Sequence, residues 1–275
     1  MSPLTINGLQ YEIDVEGSGP PLVLLHGFTG SRESWGTTEP SLSMDHTVIA
    51  IDLLGHGGTA APVEPDRYGV DHQVADLAQL WAVLSLEQAA VVGYSMGARL
   101  ALAFAVRYPA LVDQLILISG GAGIRDPHER AMRSRSDELL AGRIETFGIE
   151  EFVKEWEALP LWESQRDVDL VILERQREIR LRQRPTGLAQ SLRGFGQGSQ
   201  PALWDALPTL NIPVLILAGA EDSKYASLAL EMAPLLPDAT AVILPGAGHA
   251  VHLEKPEAVS MLIGEFLAKQ RAVVS

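Results

Sequence analysis

Ser95 stands in Gly93-Tyr94-Ser95-Met96-Gly97, a G-x-S-x-G run that follows the apolar Ala89–Val92 and precedes an Ala- and Leu-rich stretch. Strand, sharp turn and helix in that order form a nucleophile elbow, with the serine in a strained turn and its hydroxyl exposed. A serine hydroxyl alone is a weak nucleophile and a weak base. It needs a histidine to take its proton and a carboxylate to orient that histidine. Asp222 ends Gly219-Ala220-Glu221-Asp222, and His249 ends Gly246-Ala247-Gly248-His249, each just past an apolar run. The chain order Ser95, Asp222, His249, each at a strand end, predicts a catalytic triad. Glu221 adjoins Asp222, but the last residue of the turn is the expected partner. His252 lacks the Gly-x-Gly lead-in of His249 and reads as a helix-face or rim residue.

Such a triad generates anions, and anions need donors. His26-Gly27-Phe28 follows Leu22–Leu25, and Met96 opens the helix after Ser95. Their place in the fold makes the backbone N–H groups of Phe28 and Met96 the expected oxyanion hole, the second favoured by the helix dipole. Asp52-Leu53-Leu54-Gly55-His56-Gly57 is another strand-end turn, and reads as loop bracing. Arg99 lies one helical turn past the serine.

The elements that must hold these residues alternate. Apolar runs at Leu22–Leu25, Val48–Ile51, Ala89–Val92, Leu115–Ile118, Val214–Leu217 and Ala241–Leu244 each end at a turn signal. Continuous apolar runs suit parallel strands covered on both faces. Helical patterns fall at about 71–86, 95–108, 225–236 and 256–268, which implies a mostly parallel, doubly wound α/β sheet. Tyr11–Val15 reads as an antiparallel edge strand. The alternation stops between 121 and 205, where amphipathic helices with breaks at Gly142, Gly148, Pro160 and Pro185 predict a cap over the strand ends. The expected division is a core of 1–120 and 206–275 and a helical cap insertion of 121–205.

Composition bounds the rest. The chain has 275 residues, 47% hydrophobic and 20% charged, with no cysteine, so disulfides and thiolate metal sites are excluded. A net charge of −14 argues against nucleic acid or an anionic membrane as partner. Residues 121–200 are nearly neutral, because they hold twelve of the seventeen arginines. Most of these arginines are expected on solvated helix faces or in i,i+4 pairs, while their concentration in one segment of an acidic chain also fits a small polyanionic ligand. No metal-ligand cluster, H-E-x-x-H or phosphate loop is present, so neither metal nor other cofactor is implied. The start, Met1-Ser2-Pro3-Leu4-Thr5, shows no leader, and no apolar run reaches membrane-spanning length, so the expected setting is cytoplasmic.

The elbow, the triad order and the His-Gly turn resemble the α/β-hydrolase superfamily over nearly the whole chain. Narrower motifs in the core are Leu25-His26-Gly27-Phe28-Thr29-Gly30-Ser31, Gly93–Arg99, Asp222-Ser223-Lys224-Tyr225 and Gly248–His252. In the cap they are Arg130–Arg133, Trp156–Trp162, Pro185–Ala189 and Ser191–Gly194. Together they are similar to the menaquinone-pathway 2-succinyl-6-hydroxy-2,4-cyclohexadiene-1-carboxylate synthases. That resemblance implies a cofactor-independent lyase that eliminates pyruvate from a tricarboxylate, with the serine as base. It maps carboxylate-binding arginines onto Arg99, Arg133 and Arg182, with Arg130 and Arg180 as near rivals, and pocket positions onto Tyr94, Trp156 and Lys224. The alternative is a C–C or carboxylic-ester hydrolase that uses the same triad.

Overall fold

The computed structural model describes residues 3–274; Met1 and Ser2, where the leader reading begins, lie outside them. Strands β1 (Leu4–Ile6) and β2 (Leu9–Tyr11) form a small antiparallel pair. Seven more build one sheet: β3 (Ile13–Gly17), β4 (Pro21–Leu25), β5 (Thr47–Ile51), β6 (Ala89–Tyr94), β7 (Val112–Ile118), β8 (Val214–Gly219) and β9 (Ala239–Leu244). Their order is β3-β5-β4-β6-β7-β8-β9, and β3 alone runs antiparallel, at the edge, with Ile13 opposite Ile51. The apolar runs look continuous because both faces are covered. Val23, Leu25, Ile49, Ile51 and Val91 enter one core, while Leu22, Leu24, Val48, Ala50 and Val92 enter the other.

Helices α1 (Thr38–Leu42), α2 (Val70–Val83) and α3 (Met96–Arg107) come next in the core. Residues Leu77, Leu80 and Trp81 of α2, with Leu100 to Ala105 of α3, fill the first face. The second is filled from the C-terminal end, described below. Between β7 and β8 no strand occurs among the described residues. This stretch holds α4 (Pro127–Glu157), a 3-10 segment Pro160–Asp167, α5 (Leu170–Leu181) and α6 (Pro185–Phe195). Asp126 starts α4 by accepting the Glu129 N–H at 2.8 Å, with Pro127 at the first helical position. The break expected at Gly142 does not occur. A helical glycine costs only about 1 kcal/mol, and the neighbouring Ala141 and Ile144 are fully buried. Gly148 does interrupt the helix, with φ 79° and ψ −179°.

The insertion has its own core, in which Ala141, Ile144, Phe152 and Val153 pack with Leu188, Ala189 and Leu192. Phe28, from the loop after β4, packs against that cluster. After β8 come α7 (Ser223–Met232), α8 (Val251–Glu254) and α9 (Pro256–Val274), whose Val259, Ile263 and Leu267 complete the second face. No described helix is long and apolar enough to cross a membrane.

Candidate active site

The elbow between β6 and α3 puts Ser95 at φ 51° and ψ −106°. A non-glycine residue held there stores roughly 1–3 kcal/mol of strain. The strain persists because the turn is pinned. The Ser95 N–H donates to the Ile118 carbonyl at 2.8 Å, and its carbonyl accepts the Arg99 N–H at 3.1 Å. A Cβ on Gly97 would stand 1.9 Å from the Leu25 carbonyl oxygen, so only glycine lets α3 start against β4.

The other two residues arrive from the ends of β8 and β9. His249 Nε2 lies 2.9 Å from Ser95 Oγ, and His249 Nδ1 lies 2.6 Å from Asp222 Oδ2. Asp222 also caps α7, its Oδ1 accepting the Tyr225 N–H at 3.3 Å. Asp222 and His249 are buried, while Glu221 faces solvent. The chain thus brings Ser95, His249 and Asp222 together. With Nδ1–H given to the carboxylate, Nε2 is free to accept the serine proton. His252 lies on the helix Val251–Glu254, as one of the two expected readings has it, but on its buried face. It is 1% exposed, with its ring 4.3 Å from that of Tyr94 and 5.3 Å from that of Trp35.

The His26-Gly27-Phe28 turn lies against the serine. A Cβ on Gly27 would meet the Tyr94 ring at 2.8 Å and Ser95 Cβ at 3.5 Å. His26 holds the turn, as Nε2 accepts the Leu53 N–H at 3.0 Å and Nδ1 donates to the Gly27 carbonyl at 2.7 Å. Burial lowers the His26 pKa to about 4, which keeps the ring neutral and this pattern intact. The amides of Phe28 and Met96 have no acceptor among the described residues. Two unspent N–H groups beside a serine hydroxyl are what an oxyanion requires. Asp52 braces the next turn, accepting the Arg32 and Gly58 amides, each at 2.7 Å.

These groups open into a cavity of about 350 Å³ beneath the helical insertion. Its walls include Phe28, Tyr94, Trp156, Trp162, Leu192 and Tyr225, and its cations are Arg99, Arg133 and Lys224. Arg99 is 7% exposed. Its guanidinium donates to the Phe195 carbonyl at 3.0 Å and to Gln200 Oε1 at 3.2 Å, and lies 4.7 Å from the Phe195 ring centre. No carboxylate lies within ion-pair distance of it among the described residues. Burial lowers its pKa to about 10, so it remains charged at neutral pH. A buried guanidinium with only neutral partners is chemically suited to pair with a carboxylate. Arg133 reaches the cavity while paired with Asp137 at 2.7 Å. Lys224, at the rim, donates to Gln197 Oε1 at 3.0 Å.

Arg182 lies elsewhere. It is exposed, pairs with Glu33 at 2.9 Å and lines no part of the cavity. Residues two positions apart on a helix point about 200° apart around the axis, so Arg180 in the last turn of α5 and Arg182 at its C-cap do not share a face. Arg180 is the buried one, bonded to Glu157 at 3.0 Å and facing the Trp162 ring. Arg130 does not line the cavity either. Most cap arginines are consumed in ion pairs, such as Arg193 with Glu138 and Glu145 and Arg177 with Glu157. Arg177, Arg180 and Arg193 link α4 to α5 or α6, Arg133 and Arg143 pair within α4, and Arg175, Arg182 and Arg125 reach Glu33 and Glu231 outside the cap. Gln197 and Gln200, which fix Lys224 and Arg99, carry no motif by which sequence reading could single them out.

A family model for the alpha/beta hydrolase fold matches residues 20–256. A protein of Bacillus subtilis (strain 168), provisionally named 2-succinyl-6-hydroxy-2,4-cyclohexadiene-1-carboxylate synthase, is 41% identical over 263 residues, 95% of this chain and 96% of that one. Among solved structures, MenH from S. aureus superposes with a TM-score of 0.90 at 31% identity, covering 95% of this chain and 98% of that chain. A thermophilic esterase from Thermogutta terrifontis, with malate bound, superposes with a TM-score of 0.84 at 30% identity over 98% of both chains. The chain belongs to the α/β-hydrolase fold family and, within it, to the 2-succinyl-6-hydroxy-2,4-cyclohexadiene-1-carboxylate synthases.

Proposed function

We propose that this enzyme eliminates pyruvate from 2-succinyl-5-enolpyruvyl-6-hydroxy-3-cyclohexene-1-carboxylate, giving 2-succinyl-6-hydroxy-2,4-cyclohexadiene-1-carboxylate for menaquinone synthesis. The observation that carries this is Arg99, a buried cation without a carboxylate partner, in the same cavity as Ser95 and His249. A neutral ester has no use for that charge; a tricarboxylate does.

His249 draws the proton from Ser95 Oγ, and the serine oxygen takes the ring proton next to the succinyl ketone. The electron pair forms an enolate, which the Phe28 and Met96 amides hold. The enolate collapses to the ring diene as the bond to the enolpyruvyl oxygen breaks, and the departing fragment is protonated to pyruvate. No covalent intermediate is needed, so Ser95 serves as base rather than nucleophile. Arg99, Arg133 and Lys224 take carboxylates, and Trp156 and Tyr94 line the apolar walls. The substrate is a small tricarboxylate and no cofactor takes part. Neither nucleic acid nor membrane is a partner, and the setting is the cytoplasm.

The test is incubation with the enolpyruvyl compound, following pyruvate release and conjugated-diene absorbance. Absence of both, with turnover of carboxylic esters through an acyl-serine, would replace this reading with the hydrolase that the esterase neighbour exemplifies.

A further inference from the structure

His249 spends both ring nitrogens on Asp222 and Ser95. The ring therefore cannot fix the main chain that carries it, in the loop between β9 and α8. Glu254, the last residue of α8, turns back onto that loop. Its Oε2 accepts the Gly248 N–H at 2.6 Å, and its Oε1 accepts the Ala250 N–H at 3.0 Å. These are the amides on either side of His249. The Glu254 N–H in turn donates to the Ala250 carbonyl at 3.0 Å, which makes the clasp reciprocal. No cation lies within ion-pair distance of Glu254 among the described residues, so its carboxylate is committed to the loop. Ser164 of the cap also presses close: a Cβ on Gly248 would stand 2.1 Å from Ser164 Oγ.

We propose that Glu254 is a positioning residue for the elimination, holding the His249 backbone so that Nε2 stays on Ser95. A carboxylate suits the task because both of its oxygens accept. The isosteric amide of glutamine can accept at one end only and sets a donor against a donor at the other. One of the two flanking amides is then released, and the imidazole acquires freedom to drift from the serine. A misplacement of about 1 Å in such a constellation lowers turnover by about 10²-fold. Substrate affinity, which rests on Arg99, Arg133 and Lys224, is untouched by that drift.

The inference rests on the triad reading above, and its test separates the two. In the full-length enzyme, Glu254→Gln is expected to lower kcat by about 10²-fold with KM close to wild type and the thermal transition preserved. The low-field proton resonance of His249 Nδ1–H, which needs no substrate, is expected to shift or broaden. Exposed Glu257→Gln serves as the control and should change neither. If Glu254→Gln does not fold, Glu254→Asp keeps the charge on a shorter arm and is read by the same kcat-against-KM split. Wild-type kcat with an unmoved resonance overturns the proposal. So does a fall in kcat that only tracks loss of folded protein. A wild-type enzyme inert toward the enolpyruvyl compound, but with a Glu254-dependent resonance, overturns the assigned reaction and leaves the clasp standing.

Discussion

Replacing Arg99 by methionine should separate what the guanidinium does for the fold from what it does for the reaction. Its pKa falls from the ordinary 12.5 to about 10 through burial, which corresponds to about 3 kcal/mol against holding the charge there. Methionine has no charge to bury, so this term is relieved. The substitution also removes the hydrogen bonds to the Phe195 carbonyl and Gln200 Oε1, each worth about 1.5–2 kcal/mol because the donor is charged. These terms nearly cancel, and a urea titration should place the variant within about 1–2 kcal/mol of wild type. Catalysis should respond differently. Losing one partner of a buried carboxylate–guanidinium pair costs about 3–5 kcal/mol, or roughly 10²–10⁴ in kcat/KM. Turnover of the enolpyruvyl compound is the assay, with a neutral p-nitrophenyl ester as the counter-assay, which should not fall. A kcat/KM on the tricarboxylate within a few-fold of wild type would refute the assignment of Arg99 to a substrate carboxylate.

Three further outcomes follow from other parts of the molecule. Ser95→Gly should abolish turnover yet raise stability by roughly 1–3 kcal/mol, because glycine occupies φ 51° without strain; denaturant midpoints decide it. Burial lowers the pKa of His26 to about 4 and of His56 and His252 to about 3, from the ordinary 6.5. The native state thus refuses protons that the unfolded chain accepts, so stability is fully present above pH 6.5 and is lost as pH falls from there toward 4 and 3. Three such groups set a ceiling of about 4 kcal/mol per pH unit; urea midpoints that stay flat from pH 7 to about 4 would contradict this. Finally, Gly248→Ala should destabilise by about 1–3 kcal/mol through its clash with Ser164, and Ser164→Gly in the same chain should restore most of the loss.

How much of this is legible from residues alone depends on whether backbone geometry or side-chain direction decides. Gly93 and Gly97 are legible because neighbouring backbone leaves no room for a side chain at either position, and they frame Ser95. The triad order is legible because every member sits at the end of an apolar run. Arg99 is legible by its spacing, since four residues past Ser95 is one turn up the same helix. Arg180 and Arg182 are not separable this way, because one or two residues of uncertainty in a helix reverse which face points inward. The cap's charge pattern is ambiguous for a related reason: most of its arginines do sit in ion pairs, as expected, but a row of arginines looks the same whether it faces a ligand or carboxylates. Gly142 shows that a weak breaker yields to a buried neighbourhood. Glu254 leaves no periodic signal, because its role depends on a four-residue helix folding back on the loop before it.

Phe28 belongs to two structures at once. Its amide is one of the two unspent donors beside Ser95, while its ring meets Phe152 and Trp156 of the cap at 6.3 and 5.6 Å between centres. A single residue therefore carries the tension between roof and floor. If the roof lifts to admit a ligand, the ring loses its seat and the amide its aim. In the proposed elimination, one of the two amides assigned to the enolate is therefore placed by a ring that the cap holds.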